Sequence, residues 1–394
     1  MSKKEIITYS LIFIVASIIT LNVFSAALTN KHLTTIPKLP NSKNFVLSFN
    51  SRCSNNSAIR DLDKSGDPAI KKLAEYQKAC NSLATRNLTI YTDMPSDEPM
   101  ARKSAIRMAE RLREFDRYQL EPIVIVEPVS NWGLVDIRGF KEGKYNPWLE
   151  AYFEQLKNEG ITDKQMGTWT PFPEANLPYW NHTNIPPADY AVLINQYLSI
   201  YKKHFPQAQG SILLSSATYE NINFNWDEKA YKSLRLYVRD INKGLVDSFG
   251  LQGFPWAPPA TSERPKIINA SQFLNHSLAS EAAETLGVTK IWLNTGSFSE
   301  KYTLDQESMV VVEPKQRRDT LNSIVAEALI LKSRGFEVTV SLFAENKSRE
   351  AEATNWGYWE AETIGNSENT PLLIEFINQL NRKGIRFSIY DRAN

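Results

Sequence analysis

Along residues 44–394, short runs of apolar, β-branched and aromatic residues alternate with longer stretches whose apolar positions recur at helical spacing. The runs NFVLSF (44–49), LTIYT (88–92), PIVIVE (122–127), GTWTPF (167–172), SILLSS (211–216), VDSFGLQGF (246–254), KIWLNT (290–295) and VTVSLF (338–343) read as strands. Amphipathic stretches at 67–82, 97–115, 146–159, 187–204, 227–241, 271–286 and 315–334 fall between them, and another at 371–383 follows the last. The stretch at 187–204 shows the logic. Pro186-Pro187-Ala188-Asp189 supplies a helix start, and Tyr190, Leu193, Ile194, Tyr197 and Leu198 form one apolar stripe. Strand and helix alternating eightfold predict a (β/α)8 TIM barrel over 44–394. An open doubly wound sheet is the rival, but no glycine-rich phosphate loop follows any strand, which counts against its nucleotide-binding form. A ninth β-like run, IRFSIYD at 385–391, exceeds the barrel's count and is expected to pack outside it.

Ahead of this body the pattern changes. After Lys3 and Lys4 comes an apolar run from Ile6 to Leu28, and about 20 such residues suffice to cross a bilayer. Residues 1–28 therefore read as a signal anchor or a signal peptide. The run is longer than the usual signal-peptide apolar region of about 7–15 residues, although Ser25-Ala26-Ala27 offers small residues for cleavage. Lys31, Lys38 and Lys43 follow the run as Lys3 and Lys4 precede it, so charge does not orient it. Residues 29–43, polar and Pro-containing, read as a linker. The expectation is an extracytoplasmic protein, membrane-anchored at the periplasmic or cell surface, or secreted. In an exported chain Cys53 and Cys80, the only two cysteines, form a candidate disulfide; two unrelated thiols are the alternative.

Barrel enzymes carry their reactive groups at the carboxyl ends of the strands. Here those ends give Asn50 or Arg52, Asp93, Glu127, Glu174, Ser216, Gln252 or Phe254, Asn294, and Glu345 with Asn346. The segment TWTPFPEANLPYW (168–180) sets Glu174 among Trp169, Phe172, Tyr179 and Trp180. Aromatic faces stack on the C–H faces of sugars, and a carboxyl group at a strand end can exchange a proton with a glycosidic oxygen. Trp132, Trp169, Trp180, Phe254, Trp256 and Trp356 all fall at or just past strand ends and are candidate sugar subsites, whereas Trp292, inside a strand, reads as core.

Charge and composition narrow the partner. The formal net charge is +1 and no Lys/Arg run interleaves with aromatics, so a nucleic-acid partner is not expected, and a neutral polysaccharide or oligosaccharide fits better. The four histidines, His32, His182, His204 and His276, have no second ligand at metal spacing, so neither a metal nor another cofactor is expected. No Gly-x-Ser-x-Gly turn supports a serine nucleophile.

Taken in order from about residue 120 to 360, these strand ends resemble glycoside hydrolase family 26, the barrel enzymes that include endo-β-mannanases. Glu127-Pro128 is similar to that family's third-strand Trp-Glu-Pro element. Pro173-Glu174-Ala175-Asn176-Leu177 with Trp180 is similar to its fourth-strand His-Glu-Met-Asn-Gly with a following Trp. Val246-Asp247-Ser248-Phe249-Gly250-Leu251-Gln252-Gly253-Phe254 is similar to its sixth strand, and Phe343-Ala344-Glu345-Asn346-Lys347 with Trp356 to its eighth. The resemblance implies Glu174 as acid/base and Asn176, Asn294 and Asn346 as substrate contacts. It also marks departures: Pro173 replaces a His, Gln252 an Asp, Phe254 a Tyr, and Asn294 stands where the family's seventh-strand segment has its nucleophilic Glu. A neutral amide is a negligible nucleophile. Glu345 is then the leading candidate for the second carboxylate, with Glu127 as the alternative, or a substrate group replaces it. Two functions follow as expectations: hydrolysis of a β-linked polysaccharide, or a catalytically degenerate glycan-binding barrel serving exopolysaccharide assembly, export or adhesion.

Overall fold

The computed structural model describes residues 87–95, 97–130, 133–177, 185–216, 234–253, 269–295, 301–303, 309–311, 314–343 and 370–390. In chain order the strands are β1 (Asn87–Asp93), β2 (Glu121–Glu127), β3 (Val129–Ser130), β4 (Gly133–Leu134), β5 (Thr168–Pro171), β6 (Gln209–Ser215), β7 (Ser248–Gln252), β8 (Lys290–Thr295), β9 (Lys301–Thr303), β10 (Met309–Val311), β11 (Glu337–Phe343) and β12 (Arg386–Tyr390). Eight of them, all parallel to their neighbours, close a barrel in the order β1-β2-β5-β6-β7-β8-β11-β12. β3–β4 and β9–β10 are two-stranded antiparallel additions beyond the ends of β2 and β8.

Helices alternate with the barrel strands as the periodicity predicts. They are α1 (Glu98–Arg117), α2 (Ile137–Lys141), α3 (Asn146–Asn158), α4 (Asp163–Met166), α5 (Pro187–His204), α6 (Leu234–Val238), α7 (Ala270–Phe273), α8 (His276–Leu286), α9 (Pro314–Ser333) and α10 (Thr370–Arg382). Local chemistry sets their ends. Asp97 caps α1 by accepting from the Met100 N–H at 2.7 Å, with Pro99 in the first turn, where its missing N–H costs nothing. Asn275 caps α8 through the Ser277 and Leu278 N–H groups, and Gly287 closes that helix in the left-handed conformation.

The strand count needs one correction. The run at 385–391, expected outside the barrel, supplies its eighth strand: β12 pairs with β1 (Asn87↔Ser388) and with β11 (Ser341↔Ser388). Without β12, the edges of β1 and β11 would expose unpaired backbone groups, and closure removes both edges at once. The run at 44–49, read as the first strand, lies outside the described residues, as does the helix at 67–82. Every barrel ordinal therefore falls by one. Glu174 follows the third barrel strand, Gln252 ends the fifth, and Asn294 lies near the end of the sixth.

Hydroxyl groups bond across the barrel interior. Thr89 Oγ1 and Ser341 Oγ hydrogen-bond at 3.3 Å, and the Trp292 indole N–H donates to Ser211 Oγ at 3.2 Å. Ser248 Oγ donates to the same Ser211 oxygen at 2.9 Å. Trp292 is buried, as expected of a core residue, and Gly250 makes room for it: a Cβ there would lie 2.4 Å from the indole ring. The apolar core proper sits between barrel and helices, where Trp169 packs edge-on against Phe153 and tilted against Tyr201, at centroid distances of 5.7 and 5.8 Å.

Among the described residues no helix is long and apolar enough to cross a membrane; the segment at 6–28 lies outside them.

Candidate active site

The site grows from a strand that ends early. Pro171 has no N–H to give to the ladder, so β5 stops after four residues and its pairing with β6 covers only Thr168↔Gln209 and Trp169↔Gly210. Beyond it the backbone turns sharply, with Phe172 at φ 51° and Glu174 at φ 52°. A left-handed non-glycine residue costs about 1 kcal/mol or more and persists only where its surroundings over-determine it.

Those surroundings are visible. The Phe172 N–H donates to the Val126 carbonyl (3.1 Å), the Glu174 N–H to the Leu213 carbonyl (2.9 Å), and the Leu177 N–H back to the Glu174 carbonyl (2.8 Å). Asn176 completes the lock: its Nδ2 donates to the Ser215 carbonyl at 2.7 Å while the Ser215 N–H donates to its Oδ1 at 2.9 Å. The segment 172–177 is thus sewn to both neighbouring strands, β2 and β6, and Glu174 is presented from a fixed backbone.

Four polar residues stand at or near the ends of nearby barrel strands. Glu127 ends β2, and Asp93 is its register partner at the end of β1. Gln252 ends β7 opposite Asn294 of β8. The Asn294 Nδ2 donates to Gln252 Oε1 at 2.6 Å, and Gln252 in turn hydrogen-bonds the Glu174 carboxyl group. Burial pushes the Glu174 pKa up; the Gln252 bond opposes the rise, and the nearby Glu127 charge adds to it, leaving the group titrating at about 7. Glu174 nonetheless keeps partial solvent exposure. A carboxyl group poised near neutrality, partly accessible, at the carboxyl end of a barrel strand, can deliver and recover a proton.

The expected site residues divide in three. Glu174, Glu127 and Asn294 converge as described. Trp169 and Asn176 take other roles. Trp169 is wholly buried on the outer face of β5, its indole N–H bonded to the Met166 carbonyl at 2.8 Å, so it is core and not a sugar subsite. Asn176 is buried with both ends of its amide committed to Ser215, so it shapes the loop and does not face a ligand. Asn294 is fully buried, with its amide bonded to Gln252. Glu345, Asn346, Trp132, Trp180, Phe254, Trp256, Trp356, Cys53 and Cys80 lie outside the described residues. Sequence reasoning missed the linking role of Gln252; the signal was its position at a strand end next to Asn294.

Among the described residues no group of three or more His, Cys, Asp or Glu could hold a metal ion. His204 pairs with Glu150 (2.6 Å) and His276 with Glu327 (2.7 Å) on the helical layer. A cavity of about 910 Å³ opens at the opposite end of the barrel, lined by strand starts such as Thr168, Gln209, Lys290 and Arg386. It is remote from Glu174 and belongs to the amino-terminal face, which in barrel enzymes serves the scaffold.

Fold and strand ends together define a (β/α)8 barrel with carboxylates at its carboxyl-terminal face. A solved glycosidase structure shares this architecture. A fungal β-1,4-galactanase matches with a TM-score of 0.50 at 13% identity, over 77% of this chain and 90% of that one. A β-1,4-mannanase from Cryptopygus antarcticus matches with 0.45 at 10% identity, over 84% and 87%. An endo-1,4-β-mannanase from Eisenia fetida matches with 0.42 at 12% identity, over 83% of this chain and 88% of that one.

At these identities the likeness shows the fold alone. No protein-family model matches the sequence, and no curated protein matches it.

Proposed function

We propose that this chain is a glycosidase acting on a β-linked polysaccharide, with Glu174 as the proton donor to the leaving oxygen. The observation that carries this is the Glu174 carboxyl group, held near neutrality by burial and by the charge of Glu127 at the end of a fixed loop. Glu127 is the second carboxylate. It ends the barrel strand beside β5, and its charge acts on Glu174, so the two carboxylates stand close enough to interact. Ionised Glu127 then serves as base toward water or as nucleophile, while protonated Glu174 gives its proton to the glycosidic oxygen. Glu345 is the reserve candidate for the second role. Trp132, Trp180, Phe254, Trp256 and Trp356 supply sugar subsites. Residues 1–28 hold the barrel outside the cytoplasm through the linker at 29–43, or are removed on export.

A degenerate glycan-binding barrel is the second reading, and one observation favours it. Asn294, which the family resemblance sets at the nucleophile position, is a neutral amide with no exposure. The test is a panel of β-mannan, β-galactan, β-glucan and xylan with wild type, E174Q and E127Q. Release of reducing ends by wild type, lost in both variants, supports the enzyme; binding without release by any form supports the degenerate barrel.

A further inference from the structure

Asn294 and Gln252 sit side by side on adjacent strands, both buried, joined by a bond of 2.6 Å in which Asn294 donates and Gln252 accepts. A carboxamide has one donating and one accepting end. With its carbonyl oxygen taken by Asn294, Gln252 has only its NH2 group to turn elsewhere, and its other contact is the Glu174 carboxyl group. The Oδ1 of Asn294 has no partner among the described residues, so the one hydrogen bond that fixes this amide is the bond to Gln252.

We propose that Asn294 is a positioning residue: it holds the Gln252 carboxamide so that the NH2 group, and not the carbonyl, faces Glu174. An NH2 group donating to a carboxylate favours its ionised form, against burial and against the charge of Glu127, the charged neighbour of Glu174 among the described residues. The relay therefore keeps Glu174 from being permanently protonated and lets it regain its proton after giving it up. Asn at position 294 does what a carboxylate there cannot, because an ionised Asp or Glu has no hydrogen to give to Gln252 Oε1. It would instead attract the Gln252 NH2 group away from Glu174. This inference rests on Glu174 being the acid of the proposed reaction.

The test is a carbon-detected titration of Glu174 in the full chain labelled at glutamate carboxyl carbons, with E174Q assigning the signal. Wild type is expected to titrate near 7. N294L and Q252L are each expected to raise the midpoint by about one to two units, the worth of one hydrogen bond to a charged group. The double variant is expected to match Q252L alone, since both changes break one relay. N294D is expected to raise it too. An unchanged midpoint in N294L beside a raised one in Q252L overturns the proposal. Should N294L fail to fold, wild type decides: the side-chain NH2 signals of Gln252 and Asn294 must move with the Glu174 midpoint, and signals indifferent to it overturn the proposal. Absence of turnover on every glycan, with the relay titration as expected, would remove the glycosidase reading and leave the relay standing.

Discussion

Glu127 ends the second barrel strand, Glu174 follows the third, and the charge of the first helps burial hold the second protonated up to about pH 7. Neutralising Glu127 removes that repulsion. In E127Q the Glu174 midpoint is expected to fall below its wild-type value, read by the same carboxyl titration, and a midpoint that stays or rises would show that the two groups do not interact.

The raised pKa also has a stability consequence, with a definite sign. Between the ordinary glutamate value of about 4.3 and the folded value, the folded chain holds a proton at Glu174 that the unfolded chain has lost. Stability from this group is therefore full below about pH 4 and declines as pH rises toward 7. The total is on the order of 4 kcal/mol at most. E174Q is expected to be less sensitive to pH over that window, so urea unfolding of the two forms from pH 4.5 to 7.5 should show wild type losing stability relative to the variant. Parallel profiles would contradict the shift.

Asn176 and Ser215 exchange two hydrogen bonds across 39 positions of sequence. Asn176→Ala removes both of these bonds from the buried Ser215 backbone and frees the loop that carries Glu174. A loss of about 2–4 kcal/mol in unfolding free energy is expected, with any turnover falling more than the stability loss alone explains. A neutral effect on both would show that the loop is not held by this pair.

Gly250 faces the Trp292 ring inside the barrel, where an added Cβ would meet it at 2.4 Å. Gly250→Ala is expected to cost about 1–3 kcal/mol through overpacking, and the double variant G250A/W292F to recover part of it. Calorimetry of the three forms checks this; additivity would argue against direct contact.

Much of this fold is legible in the sequence, and the failures have physical causes. Alternation and strand composition locate β1, β2, β6, β8 and β11 to within a residue or two, and the helix at 187–204 to the residue. The run at 385–391 was legible as a strand but not as a barrel member, because periodicity reveals a strand and says nothing of which edge it closes. Trp169 was misassigned although the information was present: in TWTP the period of two puts Thr168 and Thr170 on one face and Trp169 on the other, and its face packs on α3 and α5. That Glu174 follows a barrel strand was legible from the β-like run before it. The role of Asn176 was not, since it depends on a partner 39 residues away that no local pattern marks.

The proton-donor role of Glu174 is tested most directly by leaving-group dependence. A dinitrophenolate departs without protonation, whereas a sugar hydroxyl needs an acid. E174Q should lose about 10²–10⁴-fold in kcat/KM on the polysaccharide that wild type cleaves, and far less on the dinitrophenyl β-glycoside of the same sugar. Equal losses on both substrates, or none on the polysaccharide, would contradict Glu174 as the acid.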